Sequence, residues 1–296
     1  MTLTPRVSSA AVATSAAAAL LLLTACSGAP PQDDAPADER LDVVTAAYPL
    51  QYVTERIAGD DATATSALSA GTDVHEAELA PSQALRLSRA DLVVALPGLQ
   101  AGVDAALSDA APERVVDVTE AAALDGDDLH FWLDPLRLAD VGDEVAGALA
   151  AADPDRADGY RQRAAQLRTD LTALDQRYAD GLAPCRGASL VTSHEAFGYL
   201  ADRYGLQQLG VAGLDPEVEP TPARLRAVVE QVQDTGVRTL YFETEATDAV
   251  TRALASRLGT ATGVLDPMES AREPGADLVA TADANLRALT DGLVCS

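Results

Sequence analysis

Two periods of apolar spacing alternate along this chain. Short β-branched runs at Leu41–Ala47, Ala62–Leu68, Asp91–Leu96 and Arg114–Val118 are separated by stretches whose apolar positions recur every three or four residues, Leu50–Gly59, Pro81–Ala90 and Gly102–Ala110. The short runs predict strands and the longer period predicts helices. Unbroken β-branched strands between helices argue for a parallel sheet covered on both faces. From Leu138 the strands stop. Leu138–Ala151 is apolar at helical spacing, and Asp153-Pro154 then opens a stretch carrying Tyr160, Ala164, Leu167, Leu171, Leu174 and Tyr178 on one face. Asp-Pro is an N-cap and N1 signal. A helix from Pro154 to Ala179 spans about 39 Å at 1.5 Å per residue. After Gly181 the alternation restarts, with strands at Ser189–Thr192, Leu206–Val211, Arg238–Phe242 and Thr262–Leu265. The helices between and after them are Ala196–Tyr204, Pro222–Asp234, Thr247–Leu258 and Asp277–Leu293. The expected architecture is α/β: two lobes, each a mostly parallel β-sheet flanked by helices, joined by one long rigid helix. The expected divisions are a first lobe over 41–137, a linker over 138–182 and a second lobe over 183–296.

The ends carry a different signal. Arg6 is the only charge before an apolar run from Ala10 to Leu23, which is shorter than the ~20 residues a spanning helix needs. Small residues close it, so residues 1–25 read as a secretion signal. Leu23-Thr24-Ala25-Cys26 resembles the lipobox of bacterial lipoproteins, which implies a lipidated Cys26. Residues 26–40, rich in Pro, Asp and Ala, cannot bury enough surface to order themselves and read as a tether. In an exported chain the remaining cysteines, Cys185 and Cys295, are expected to form a disulfide. Such a closure stabilises by roughly 4–5 kcal/mol in the chain-entropy account and pins the closing helix to the start of the second lobe. The formal net charge is −25, and every basic side chain other than histidine is arginine. That acidity excludes nucleic acid and anionic membrane surface as partners, since both require a basic face.

Only three histidines occur, His75, His130 and His194, each closing a β-branched run. Parallel sheets bind ligands outside the carboxyl ends of their strands, and Glu243 and Glu269 also follow strands closely. If two lobes face each other, all of these meet in the cleft, and imidazole is the commonest zinc ligand. Asp134 either accepts the second ring N–H of a ligand histidine or caps the helix opening at Pro135. Glu195 and Glu243 either support the ligands or line the cleft, and Trp132 reads as a hydrophobic wall.

The neighbouring residues carry a family resemblance. Gly71–Pro81 (GTDVHEAELAP) resembles the first ligand loop of the solute-binding proteins of bacterial zinc and manganese ABC importers, and Asp128–Pro135 (DLHFWLDP) their second. Thr192–Leu200 (TSHEAFGYL) is similar to their third, and Leu265–Glu269 (LDPME) to the segment supplying the fourth ligand. The resemblance runs in order from Leu41 to the end of the chain. It implies capture of a divalent transition metal outside the membrane and its delivery to a permease driven by a cytoplasmic ATPase. By position it implies His75, His130, His194 and Glu269 as ligands, with Asp266 the alternate fourth. It further implies a monomer, lipid-anchored to the bacterial cell membrane, and not an enzyme. Three imidazoles and one carboxylate suit Zn2+, whereas Mn2+ takes a larger share of oxygen. One departure stands out: zinc-type members often carry a histidine-rich loop before the second ligand, and Ala121–Leu129 offers aspartates and no histidine there. Two rival classes are a zinc-dependent hydrolase and a metal-stabilised adhesin. The hydrolase would need an open water position on the metal, and no His-Glu-x-x-His helix is present.

Overall fold

A computed structural model describes residues 40–72, 74–75, 77–109, 115–243, 249–272 and 275–295. The expected leader, Cys26 and all of the tether except Arg40 lie outside the described residues, as do Asp73 and Glu76 of the first histidine loop.

The first sheet comprises β1 (Leu41–Thr45), β2 (Ala62–Ser66), β3 (Leu92–Ala95) and β4 (Val115–Asp117), in the order β2-β1-β3-β4. The second comprises β5 (Ser189–Thr192), β6 (Gln207–Gly210), β7 (Thr239–Phe242) and β8 (Ala261–Val264), in the order β6-β5-β7-β8. Every pairing in both sheets is parallel. The two lobes therefore repeat one winding, with the first strand of each inside its sheet. This is the two-lobed α/β arrangement that the alternation of periods predicts.

In the first lobe the helices are α1 (Tyr48–Ala58), α2 (Pro81–Arg89), α3 (Ala101–Asp109) and the single turn α4 (Thr119–Ala122). Then come α5 (Pro135–Ala152) and α6 (Ala157–Leu182), followed by α7 (Gly198–Tyr204), α8 (Pro222–Thr235), α9 (Ala249–Leu258) and α10 (Leu278–Gly292). Proline at the first turn starts several of them at no hydrogen-bonding cost. The Thr221 hydroxyl and the Asp277 carboxylate cap α8 and α10 by accepting backbone N–H groups. The stripe expected on the long helix, from Tyr160 to Tyr178, is buried along its whole length.

The start of that helix differs from expectation. Asp153-Pro154 opens a 3-10 turn at Pro154–Arg156, and α6 begins only at Ala157. The Asp153 carboxylate takes hydrogen bonds from Arg156 (2.6 Å) and the Tyr160 hydroxyl (3.2 Å) in place of backbone N–H groups. A carboxylate offered a guanidinium within one turn forms the stronger, charge-assisted bond. Cys185, just past α6, is disulfide-bonded to Cys295, just past α10. One hydrophobic core runs from the first sheet through α5 and α6 to α7, Leu265, Met268 and α10, and a smaller one lies under β5, β7, α8 and α9.

Candidate metal centre

The three histidines and Glu269 reach one point from four separate segments. His75 lies on the loop between β2 and α2, His130 on the loop that leads into α5, His194 two residues past β5, and Glu269 five residues past β8. The carboxyl ends of the two sheets supply these loops, so the lobes contribute two ligand candidates each. One ligand atom from each residue lies within 4.8 Å of all the others. The ring centroids are 5.5–6.0 Å apart.

Glu269 Oε1 sits 2.9 Å from His130 Nε2 and 3.5 Å from both His75 Nε2 and His194 Nε2. A zinc tetrahedron with bonds of about 2.0–2.2 Å has edges of roughly 3.3–3.6 Å, close to these separations. Among the described residues His130 Nε2, His194 Nε2 and Glu269 Oε1 are buried without a partner of hydrogen-bond geometry. Buried polar atoms left so are costly, and three of them converging fit a cation better than one another. His130, His194 and Glu269 are buried, and His75 is half-buried at the rim.

The opposite ring nitrogens are held by carboxylates. His130 Nδ1 lies 2.7 Å from Asp128 Oδ1, which also accepts the His130 backbone N–H at 3.0 Å. His194 Nδ1 bonds Glu243 Oε1, which also accepts from the Ser193 hydroxyl at 2.9 Å. A carboxylate on Nδ1 fixes the tautomer with Nε2 free to ligate. Of the two readings left open for Glu243, the structure places it behind His194, while Glu195 pairs with Arg224. Asp134 resolves as a helix cap: it accepts the Leu136 and Arg137 N–H groups and pairs with Arg203 at 3.2 Å. The residue that the sequence reading missed is Asp128. Its signal, an acid two residues ahead of a histidine, was masked by its neighbours Asp125 and Asp127.

Without a metal, these acids load the rings with protons. Burial opposes a charged His194 most strongly, yet the carboxylates of Glu243 and Glu269 outweigh it and raise the ring to about 10. His130 is likewise raised, its burial overcome by Asp128 and Glu269. Burial alone would raise Glu269, but the three histidines hold it well below the usual carboxylate range.

Asp266, the alternate fourth ligand, is otherwise engaged. Its carboxylate accepts the Met268 N–H at 2.8 Å and Arg272 Nε at 2.6 Å. Trp132 packs its ring 5.4 Å from that of His130 and donates its N–H to the Pro267 carbonyl at 2.8 Å, tying the first lobe to the loop that carries Glu269.

Two parallel-stranded lobes with three imidazoles and one carboxylate gathered between them have the geometry of a cation site. The chain belongs to the family described as zinc-uptake complex component A periplasmic, whose model matches residues 43–292. It is 32% identical over 279 residues to the zinc-binding lipoprotein AdcA of Streptococcus pneumoniae, a match covering 86% of this chain and 56% of that one. The chain thus spans about half the length of the first such relatives. Among solved structures, the Zn(II)-bound ZnuA-like domain of Streptococcus pneumoniae AdcA is similar at 32% identity and a TM-score of 0.73, over 86% of this chain and 99% of that one. The laminin-binding protein Lmb of Streptococcus agalactiae, described as bifunctional with adhesin and metal transporting activity, is similar at 28% identity and a TM-score of 0.78, over 86% and 99%.

Proposed function

We propose that this protein captures Zn2+ outside the membrane through His75, His130, His194 and Glu269 and delivers it to an ABC-type permease for import. The observation that carries this reading is the convergence of three imidazole nitrogens and one carboxylate oxygen within 4.8 Å. Three nitrogens and one oxygen match zinc's four-coordinate preference better than the oxygen-rich shell of manganese. Four protein ligands leave no position for the activated water of a zinc hydrolase, which supports a binding protein over an enzyme. The proposed site assignment leaves Asp266 as a support and not a ligand.

Cleavage after residue 25, lipidation of Cys26 and a tether to about residue 40 would hold a monomer at the outer face of the cell membrane, in reach of the permease. The naming of the AdcA relative as a lipoprotein and the periplasmic description of the family support that placement. Metal analysis of protein purified from its own host, without added metal, tests the cargo: about one zinc per chain is expected. Competition titration should give sub-micromolar affinity, with His75→Ala, His130→Ala and His194→Ala each weakening it more than about tenfold. A triple-alanine variant that bound zinc as tightly as the parent would overturn the site.

A further inference from the structure

Glu269 stands on a loop that is clipped shut at its base and strained beside the ligand. The Asp266 backbone N–H and C=O are both taken by the Asn285 side chain of α10, at 2.9 and 2.7 Å. Six residues on, Arg272 returns to the same residue, donating Nε to Asp266 Oδ2 at 2.6 Å and Nη2 to the Glu243 carbonyl at 3.1 Å. The Asp266–Arg272 pair thus closes a ring of backbone with Glu269 inside it. Between them, Met268 holds φ at 57°. For a residue with a Cβ that left-handed conformation is strained and persists only where surrounding contacts impose it. The contacts are at hand: the Met268 N–H on Asp266 Oδ1, the Trp132 indole on the Pro267 carbonyl, and a Met268 side chain buried in the core.

These supports differ in exposure. Asn285, Trp132 and Met268 are buried, whereas the Arg272 side chain is 56% exposed. Behind the loop is a cavity of about 430 Å³ lined by Tyr48, Asp266, Arg272, Ala280 and Ala284 among others, so the loop is not backed by solid core on that side. His130 and His194, in contrast, are fixed in buried surroundings by Asp128 and Glu243. Compared with those two histidines, the carboxylate on the clipped loop is the ligand more easily detached.

We infer that Arg272 is a positioning residue for Glu269, and that the Asp266–Arg272 clip sets the rate at which bound metal leaves. Opening the clip frees Met268 to relax out of its left-handed conformation and carries Glu269 away from the three histidines. This rests on the reading of the cluster as a zinc site. It assigns Asp266 a purpose without making it a ligand.

The test is zinc dissociation from the full protein, followed by stopped-flow mixing with excess chelating dye. R272A, at a mostly exposed position, should release zinc about tenfold faster than the parent, the scale expected when a support behind a metal ligand is lost. R272K keeps the charge but cannot donate to Asp266 and the Glu243 carbonyl together, and should fall between the two. The decisive measurement is the double variant: in an E269Q background R272A should add little, because Arg272 acts through the Glu269–metal contact that E269Q has already weakened. Equal dissociation rates for parent and R272A would overturn the inference while leaving the zinc site standing. Full additivity with E269Q would overturn it as well, by showing a general structural effect. A parent protein that took up no zinc would overturn the site and the clip together.

Discussion

His194 and His130 each carry an acid on the nitrogen that faces away from the site, and that pairing governs the pH behaviour. A metal must displace the proton that Glu243 and Glu269 stabilise on His194. The ring is raised from the ordinary 6.5 to about 10, so zinc affinity should keep climbing with pH well above neutrality. Calorimetric titrations in buffers of different ionisation enthalpy at pH 7 and 8 should show net proton release at both. The same shift bears on stability, because a group raised in the folded state contributes fully below its unfolded value and loses that contribution as pH climbs through the folded one. Metal-free protein should therefore melt at progressively lower temperature between pH 6.5 and 10. Zinc-loaded protein, whose rings hold metal in place of protons, should not follow that decline. Glu243→Gln keeps an acceptor beside Nδ1 but removes its charge, and should weaken zinc binding by about 10–100-fold while flattening the fall in apo stability. An unchanged apo profile in that variant would place the cause elsewhere. The three histidines of the cluster were legible because histidine is rare in this chain and each one is set apart. Asp128 was not, because nothing in a run of three nearby aspartates says which one turns back onto the following ring.

At the scale of elements, the segment from His130 to α5 works as one piece. Phe131–Leu133 is a buried 3-10 turn, and Asp134 ends it by capping α5 and pairing with Arg203 of α7. Asp134→Ala removes an N-cap, which costs about 1 kcal/mol. For a chain of this size that is a melting temperature lower by about 2–4 °C. Because Asp134 reaches neither ring nitrogen, zinc affinity should stay within a few-fold of the parent's, and a tenfold loss measured by competition titration would mean that the cap also steers His130. The inner strands β1, β3, β5 and β7 were readable because each carries an unbroken buried run, as a covered parallel sheet requires. The turns at Thr119–Ala122 and Phe131–Leu133 were not, since one turn is too short to display a period. Asp153-Pro154 misled by a single turn: the pair does start helical structure, but Arg156 and Tyr160 outcompete the backbone for the carboxylate.

Across the whole folded unit, residues 40–295 behave as two windings on one spine. The larger core passes without interruption from the first sheet through α5 and α6 into the second lobe. Direct ties cross the cleft as well: Trp132 to Pro267, the Gly71 N–H to the Ala271 carbonyl at 2.9 Å, and the Tyr48 hydroxyl to the Ala276 carbonyl at 2.8 Å. Spacing along the chain revealed two series of βα units but could not reveal that they share a core, because that follows from which faces of α5 and α6 meet. A wide hinge closure would have to part this core and expose buried Leu167, Leu171 and Leu174. Each fully buried leucine is worth roughly 1.5–3 kcal/mol relative to exposure, so exposing all three costs roughly 4.5–9 kcal/mol, more than the few kcal/mol that separate the states of an ordinary ligand-driven hinge. Metal capture and release should therefore proceed by small displacements of the ligand loops around a fixed frame. Small-angle scattering from zinc-loaded and metal-free protein should superimpose, while hydrogen exchange should differ in the loops at His75 and Glu269 and agree in α6. A large change in radius of gyration on adding zinc would show that the shared core opens after all.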